Sequence, residues 1–327
     1  MSSISGAISQ MIILILIACM GFVCARVGYI DADTRGKLTK ILVNITLPCM
    51  IVVSGNNLDA SQVADLILLA FLLAIVQFAL LLLCGWFCNV VLRTPPDQRA
   101  LYLFMAICTN TAFIGLPIIS SMFGGETTLF ASIFVMVLAF FMYSAGFAIL
   151  AGKKTDANRG TGRNGFLSKA AGSIKDLPWK SICNPSMGSC LVAIALLLLG
   201  IKIPNVLASA MGTLGGITSP IAMMIVGSII AEADFGSIVK EARLYPTIII
   251  RQLVVPIALL FALRALGINE SLVVVFTIMF AMPIGALAPS FAEQFGHDSM
   301  LAAKGTVLST AAAFAIIPLV VAVMAMP

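Results

Sequence analysis

Apolar residues run nearly unbroken through ten stretches, 8–27, 38–55, 64–92, 100–122, 127–151, 183–201, 206–231, 243–267, 271–292 and 299–325, and short polar segments punctuate them. Apolar runs of about 18 residues or more predict helices that cross a bilayer. Polar and apolar residues do not alternate as they would in the strands of a membrane barrel. The pattern predicts an all-α polytopic membrane protein with ten transmembrane helices, the third long enough to tilt or to project from the bilayer. Two stretches are interrupted midway. Residues 110–117 read Asn-Thr-Ala-Phe-Ile-Gly-Leu-Pro, and residues 283–289 read Pro-Ile-Gly-Ala-Leu-Ala-Pro. Gly and Pro there break the helix and free backbone amides and carbonyls, which survive in a membrane only beside protein or a water-filled cavity. Breaks at corresponding places in two half-chains point to the substrate site of a secondary transporter.

Composition narrows this further. The chain is 61% hydrophobic and 10% charged, with a mean hydropathy of +1.10, more apolar surface than a soluble domain can hide. The net charge of +5 is not a nucleic-acid signal, because the basic residues sit mostly in connections between spans. With the N-terminus outside, Arg26, Arg35, Lys37, Lys40, Arg93, Arg99, Lys153, Lys154, Arg159, Arg163, Lys169, Lys175, Lys180, Lys240 and Arg243 all face the cytoplasm, and only Lys202 and Arg264 fall in external loops. This asymmetry predicts a multi-pass protein of the cell membrane (inner or plasma) with both termini external. No positive segment precedes residue 8, so 8–27 reads as a retained first span and not a cleaved signal. The eight cysteines lie in or beside apolar spans without a CxxC pair or a His partner. They read as small core residues.

Residues 152–182 form the one long loop, rich in Gly, Ser and Lys. It divides the chain into a first five-helix unit (1–151) and a second (183–327). Phe166, Ala170, Ile174 and Leu177 fall within it at helical spacing, which fits either a short interfacial helix or a plain linker. An offset of 172 residues superposes the halves. Leu42, Ile45, Thr46, Pro48 and Gly55 land on Leu214, Ile217, Thr218, Pro220 and Gly227; Pro117, Phe123, Gly124, Leu129 and Ala131 land on Pro289, Phe295, Gly296, Leu301 and Ala303. Consecutive repeats with an odd number of spans insert in opposite orientations, so the expectation is a 5+5 inverted repeat with broken helices 4 and 9.

These residues resemble a known family. Asn110-Thr-Ala-Phe-Ile-Gly-Leu-Pro117, Pro283-Ile-Gly-Ala-Leu-Ala-Pro289, Asn184-Pro185 and the closing Val307-Leu-Ser-Thr…Ile317-Pro318-Leu are similar to the auxin efflux carriers, which include plant auxin exporters and bacterial malate and malonate permeases. The bile-acid sodium symporters are distantly similar. The resemblance spans essentially the whole chain. It implies that spans 4 and 9 cross at their breaks, and that a crossover domain carries an organic anion by an elevator-like movement against a scaffold. The short central loop suits the bacterial permeases. Ile284 stands where plant-like sequences often carry a polar residue, which argues against auxin itself.

Candidate substrate-binding residues follow from the breaks. Amide ends of half-helices suit a carboxylate. Asn110, Thr109 and Thr111 precede the first break, and Pro117, Pro283, Gly285 and Pro289 frame the two. Thr46-Leu-Pro48 and Thr218-Ser-Pro220 form a second matched pair, whose prolines read as kinks, with Asn44 just before the first as a cavity candidate. Ser219 is a further cavity candidate. Lys304, about 7–8 Å into its helix, and Arg251, about 12 Å beyond Arg243, are the two cations inside spans and could attract an anion. Lys304 can also snorkel to the surface, and Arg251 can tie helices together through carbonyls. All 14 acidic residues fall in loops or near span ends, which argues against a carboxylate proton relay or sodium site. The single His297 reads as a surface residue. No catalytic motif or metal-ligand set is present, so the chain does not read as an enzyme. The implied partners are a small organic anion and the lipid bilayer. A homodimer is left open, as is a proton or sodium ion coupled to transport. The alternatives are a cation-coupled symporter of the bile-acid type and a nutrient sensor built on a transporter fold.

Overall fold

The computed structural model describes residues 2–56, 58, 60–151, 185–232 and 241–326. The segment 152–182, expected as the central linker, lies outside the described residues, as does Asn184. Among the described residues the chain is helical, without strands. Six helices are long and apolar enough to cross a membrane: Ala32–Ser54, Asp65–Val91, Gly125–Ala151, Asn205–Ala231, Leu244–Ala265 and Ser299–Met324. Four shorter apolar helices accompany them at Ile12–Val27, Thr111–Phe123, Gly188–Leu198 and Glu270–Ala281. Each of the ten apolar stretches holds one of these helices.

In chain order the regular α-helical pieces are α1 (Ser2–Val27), α2 (Ala32–Ile41), α3 (Leu47–Ser54), α4 (Ala60–Val91), α5 (Arg99–Ile107), α6 (Leu116–Phe123), α7 (Gly125–Phe141), α8 (Phe147–Ala151), α9 (Pro185–Leu198), α10 (Asn205–Gly216), α11 (Thr218–Ala231), α12 (Leu244–Ile248), α13 (Val255–Ala265), α14 (Glu270–Ala281), α15 (Ala288–Gln294) and α16 (Ser299–Met324). Polar caps set several starts. Asp31 accepts from the Thr34 amide at 2.8 Å, which begins the second span earlier than residue 38. That bond holds the Asp31 carboxyl below its usual pKa. Asn269 and Asp298 cap α14 and α16 in the same way.

Three wide π turns, Leu42–Thr46, Thr111–Gly115 and Ile249–Val254, each run directly into a helix with Pro at its second position: Pro48, Pro117 and Pro256. Proline has no amide to donate and its ring crowds the carbonyl four residues back, so the preceding turn widens. Pro117 therefore opens the second half of its span. The unwound residues of that span are Cys108, Thr109 and Asn110, just ahead of the Gly-Leu-Pro signal.

The helices pack as two groups. In one, α1 lies along α11, and α9 and α10 pack on α3. The α1–α11 approach depends on two glycines: a Cβ on Gly227 would overlap the Ala18 carbonyl, and one on Gly21 would overlap the Met224 backbone. In the other group α4 packs on α5, α7 and α14, α13 on α14, and α15 on α16. Thr127–Leu138 of α7 and Leu272–Ala281 of α14 are buried on every side, as expected for helices apolar all round. Phe134 and Phe276 meet edge to face at 6.1 Å between these two helices. The outer face of α4 presents Leu68, Leu72, Leu83, Trp86 and Val90, the surface a lipid would cover. The groups touch through α1 with α6 and α16, α11 with α6, α3 with α7, and α7 with α9.

His297, expected at the surface, is buried, and its Nε2 lies 2.9 Å from the Leu150 carbonyl. The loop that carries it folds back against the end of α8 and is not left in solvent.

Candidate substrate site at the crossed breaks

The two interrupted helices meet at their interruptions. Asn110 donates its backbone amide to the Pro283 carbonyl at 2.8 Å, and Gly285 donates to the Cys108 carbonyl at 2.7 Å. Thr109 and Ile284 thereby form an isolated antiparallel bridge. Each break thus supplies hydrogen-bond partners to the other. Side chains satisfy the rest. Ser309 of α16 accepts from the Ile284 amide at 3.0 Å, and Thr306 donates to the Gly285 carbonyl at 3.3 Å. Arg251 Nε donates to the Ala106 carbonyl at 2.9 Å, and Gln252 Nε2 lies 3.3 Å from both the Ala281 and Ser309 carbonyls. Two glycines sit where the chains press closely together. A Cβ on Gly115 would stand 2.8 Å from the Met279 sulfur, and one on Gly285 would stand 3.0 Å from the Cys108 sulfur.

A cavity of about 410 Å³ opens on this crossing. Its walls come from the second span (Lys40, Val43, Asn44), the first break (Cys108–Phe113), α7 and the π turn after it (Leu138, Tyr143), and the second break (Gly285–Leu287). Asn110 is buried and lines the cavity, and among the described residues its side-chain amide makes no hydrogen bond. The amides of Ile114 and Gly115 both return to the Asn110 carbonyl. Those of Thr111, Ala112 and Phe113 come before any intrahelical acceptor exists. The wall therefore offers amide donors at the positive end of a half-helix, and these can hold a carboxylate without a metal. Among the described residues Lys40 is the one charged residue lining the cavity.

Of the sequence candidates, Thr109, Asn110, Thr111, Asn44 and Gly285 line this cavity together. Asn44 spends its side-chain amine on the Lys40 carbonyl. Pro117, Pro283, Pro289 and Thr218 are not in its wall; Pro283 supplies a carbonyl to Asn110, and Pro289 sits at the second position of α15. Thr218 is fully buried. Its neighbour Ser219 donates to the Pro117 carbonyl at 3.0 Å and accepts from Ser121 at 2.8 Å, joining α11 to α6. Lys304 lies outside the cavity and pairs with Glu241 at 2.9 Å. Arg251 lies behind the first break, fully packed. The sequence reading missed Lys40 and Tyr143 as wall residues and Ser309, Thr306 and Gln252 as backbone supports. Hydroxyls three apart on α16 were a readable signal for a support, whereas Lys40 was counted only as a topogenic charge.

No curated relative matches the chain significantly. The membrane transport protein family model, by contrast, matches residues 7–321. With nearly the whole length matched, and the two breaks crossing as the motif resemblance implied, the chain belongs to the membrane transport protein family, that of the auxin efflux carriers.

Proposed function

We propose that this membrane transporter is a secondary carrier of a small organic anion, a mono- or dicarboxylate, bound at the crossed breaks. The observation that carries the reading is the Asn110 side-chain amide, without a hydrogen bond among the described residues, beside the first turn of a half-helix, Thr111 to Phe113, in one cavity wall. A carboxylate can accept from such N–H donors, whereas a neutral apolar ligand would leave them unpaired. Lys40 on the same wall favours an anion.

In this reading the chain has ten spans in a 5+5 inverted repeat and works by alternating access. Backbone geometry supports the repeat. Gly28 and Gly124 have φ of 89° and 79°, and their counterparts 172 positions on, Gly200 and Gly296, have φ of 66° and 72°. Positive-φ glycines recurring at one offset support two halves that turn their chains at the same places. The group α4–α8 with α12–α16 holds both breaks and would be the moving body. The group α1–α3 with α9–α11 would be the scaffold. Both termini are external and the membrane is the cell membrane.

The test is counterflow in proteoliposomes. The purified protein is loaded with unlabelled acetate, malate, malonate or an auxin-like acid, and labelled substrate is added outside. Accumulation with one carboxylate, and none with a neutral amide analogue, is the expected result. Failure with every anion, or equal exchange of the neutral analogue, would overturn the assignment.

A further inference from the structure

Arg251 is only 2% exposed, in the π turn of the eighth span. Among the described residues it forms no ion pair, and its Nη2 has no hydrogen-bond partner. A buried charge with no counter-charge is costly and needs another source of stabilisation.

The backbone supplies that source. Helix α5 ends at Ile107 and α14 ends at Ala281, and the breaks bring these two C-terminal ends together. Each carries partial negative charge on carbonyls without intrahelical partners. Arg251 bonds to Ala106 in the last turn of α5, and the adjacent Gln252 bonds to Ala281, the last residue of α14. Two consecutive residues of one π turn thus cap the negative ends of both half-helices. In discontinuous-helix carriers such ends, with unwound carbonyls, serve to coordinate a transported cation.

We propose that Arg251 is a resident counter-cation filling the place where the two half-helix C-termini converge, so that the crossover binds no coupling metal ion. Its spare donor and uncompensated charge then favour an anion on the other side of the break. Cys108 connects the two places: it stands two residues beyond Ala106, whose carbonyl takes the Arg251 Nε, and it forms part of the cavity wall. The anion half of this statement rests on the proposed function; the cation half does not.

The experiment is thermal unfolding of purified wild type, Arg251→Gln and Arg251→Lys in choline, potassium, sodium and lithium chloride at one ionic strength. Wild type and the Lys variant should have a Tm indifferent to the cation. The Gln variant should be destabilised in choline and regain several degrees, saturably, in sodium or lithium. A merely structural hydrogen bond from Arg251 would lower Tm without creating that dependence. A saturable sodium effect on wild type, or a Gln variant as stable as wild type in choline, would overturn the proposal. If the Gln variant cannot be purified, the wild-type titration decides alone: indifference supports the resident cation and saturable sodium stabilisation overturns it. Malonate added in a second series should raise the Tm of wild type but not of the Gln variant in sodium. If only that series fails, the link from Arg251 to the anion fails and the resident cation stands; the substrate assignment is decided separately by the counterflow panel.

Discussion

Gly285 donates its backbone amide to the Cys108 carbonyl at 2.7 Å, and a Cβ on that glycine would stand 3.0 Å from the Cys108 sulfur. The bond draws the two breaks together, and the missing side chain lets them come that close. Both residues also line the cavity, so one contact sets the crossing and the shape of the site.

Gly285→Ala should lower stability by about 1–3 kcal/mol, the usual cost of overpacking, and slow transport. Gly285→Val should abolish transport. Adding Cys108→Ala removes the nearest atom and should restore part of the Gly285→Ala loss, as read by Tm and initial uptake rate. Additive losses in the double variant would show that the sulfur contact is not what constrains the glycine.

The α1–α11 contact makes a second, local prediction. Gly227→Ala and Gly21→Ala place a methyl group onto backbone with no flexible side chain to yield. Both should fail to give monodisperse protein. Gly212→Ala, on α10 with nothing within 4 Å, should be neutral or more stable by about 1 kcal/mol through helix propensity. Size-exclusion chromatography and Tm separate the two outcomes.

The sequence made the apolar stretches and both broken spans legible because bilayer length and Gly/Pro chemistry are local properties. It did not show where the first span unwinds. Pro117 was the visible breaker, yet it sits comfortably inside the first turn of α6, and the unwinding falls at Cys108–Asn110, where the opposite break offers replacement hydrogen bonds. Lys304 and Arg251 looked alike as intramembrane cations. Only the tertiary structure separates them, by giving Lys304 the Glu241 carboxylate and Arg251 the carbonyl of Ala106. Lys40 was hidden for the same reason, since a charge at a span end serves orientation in any chain and joins a cavity only when another helix closes over it.

Asn110→Ala should abolish or greatly weaken transport while the protein still inserts and runs as a single species. The Asn110 backbone contacts to Pro283, Ile114 and Gly115 survive the substitution, so the fold keeps its crossing. Loss of the side-chain amide should weaken substrate binding by about 1–3 kcal/mol, measured by titration calorimetry or by competition in counterflow. Unchanged affinity and rate would make Asn110 a packing residue.

Membrane orientation is testable with an impermeant thiol reagent in a background stripped of native cysteines. Val206, 86% exposed at the start of α10, should label as Val206→Cys in intact cells. Asp97→Cys, in the exposed connection between α4 and α5, should label only after the membrane is opened. The reverse pattern would invert the topology drawn from the basic residues.

Transport should respond to membrane potential in vesicles without sodium or proton gradients. Among the described residues no carboxylate lines the cavity and Lys40 is its one charged wall residue, which leaves the proposed cycle no carboxylate on which to carry a proton or hold sodium. Lys40 and Arg251 do not cancel the charge moved over a complete cycle, because a residue that travels with the loaded carrier returns with the empty one. Net charge per turnover is then that of the substrate. One negative charge leaving a negative interior gains about 2.3 kcal/mol per 100 mV, enough to drive export without ion coupling. An imposed potassium-diffusion potential, positive on the destination side, should accelerate labelled anion flux toward that side, and reversing it should slow the flux. Arg251→Lys should keep this dependence, since it keeps the charge. Flux indifferent to potential, or following only a sodium or proton gradient, would identify the protein as an electroneutral or cation-coupled symporter instead.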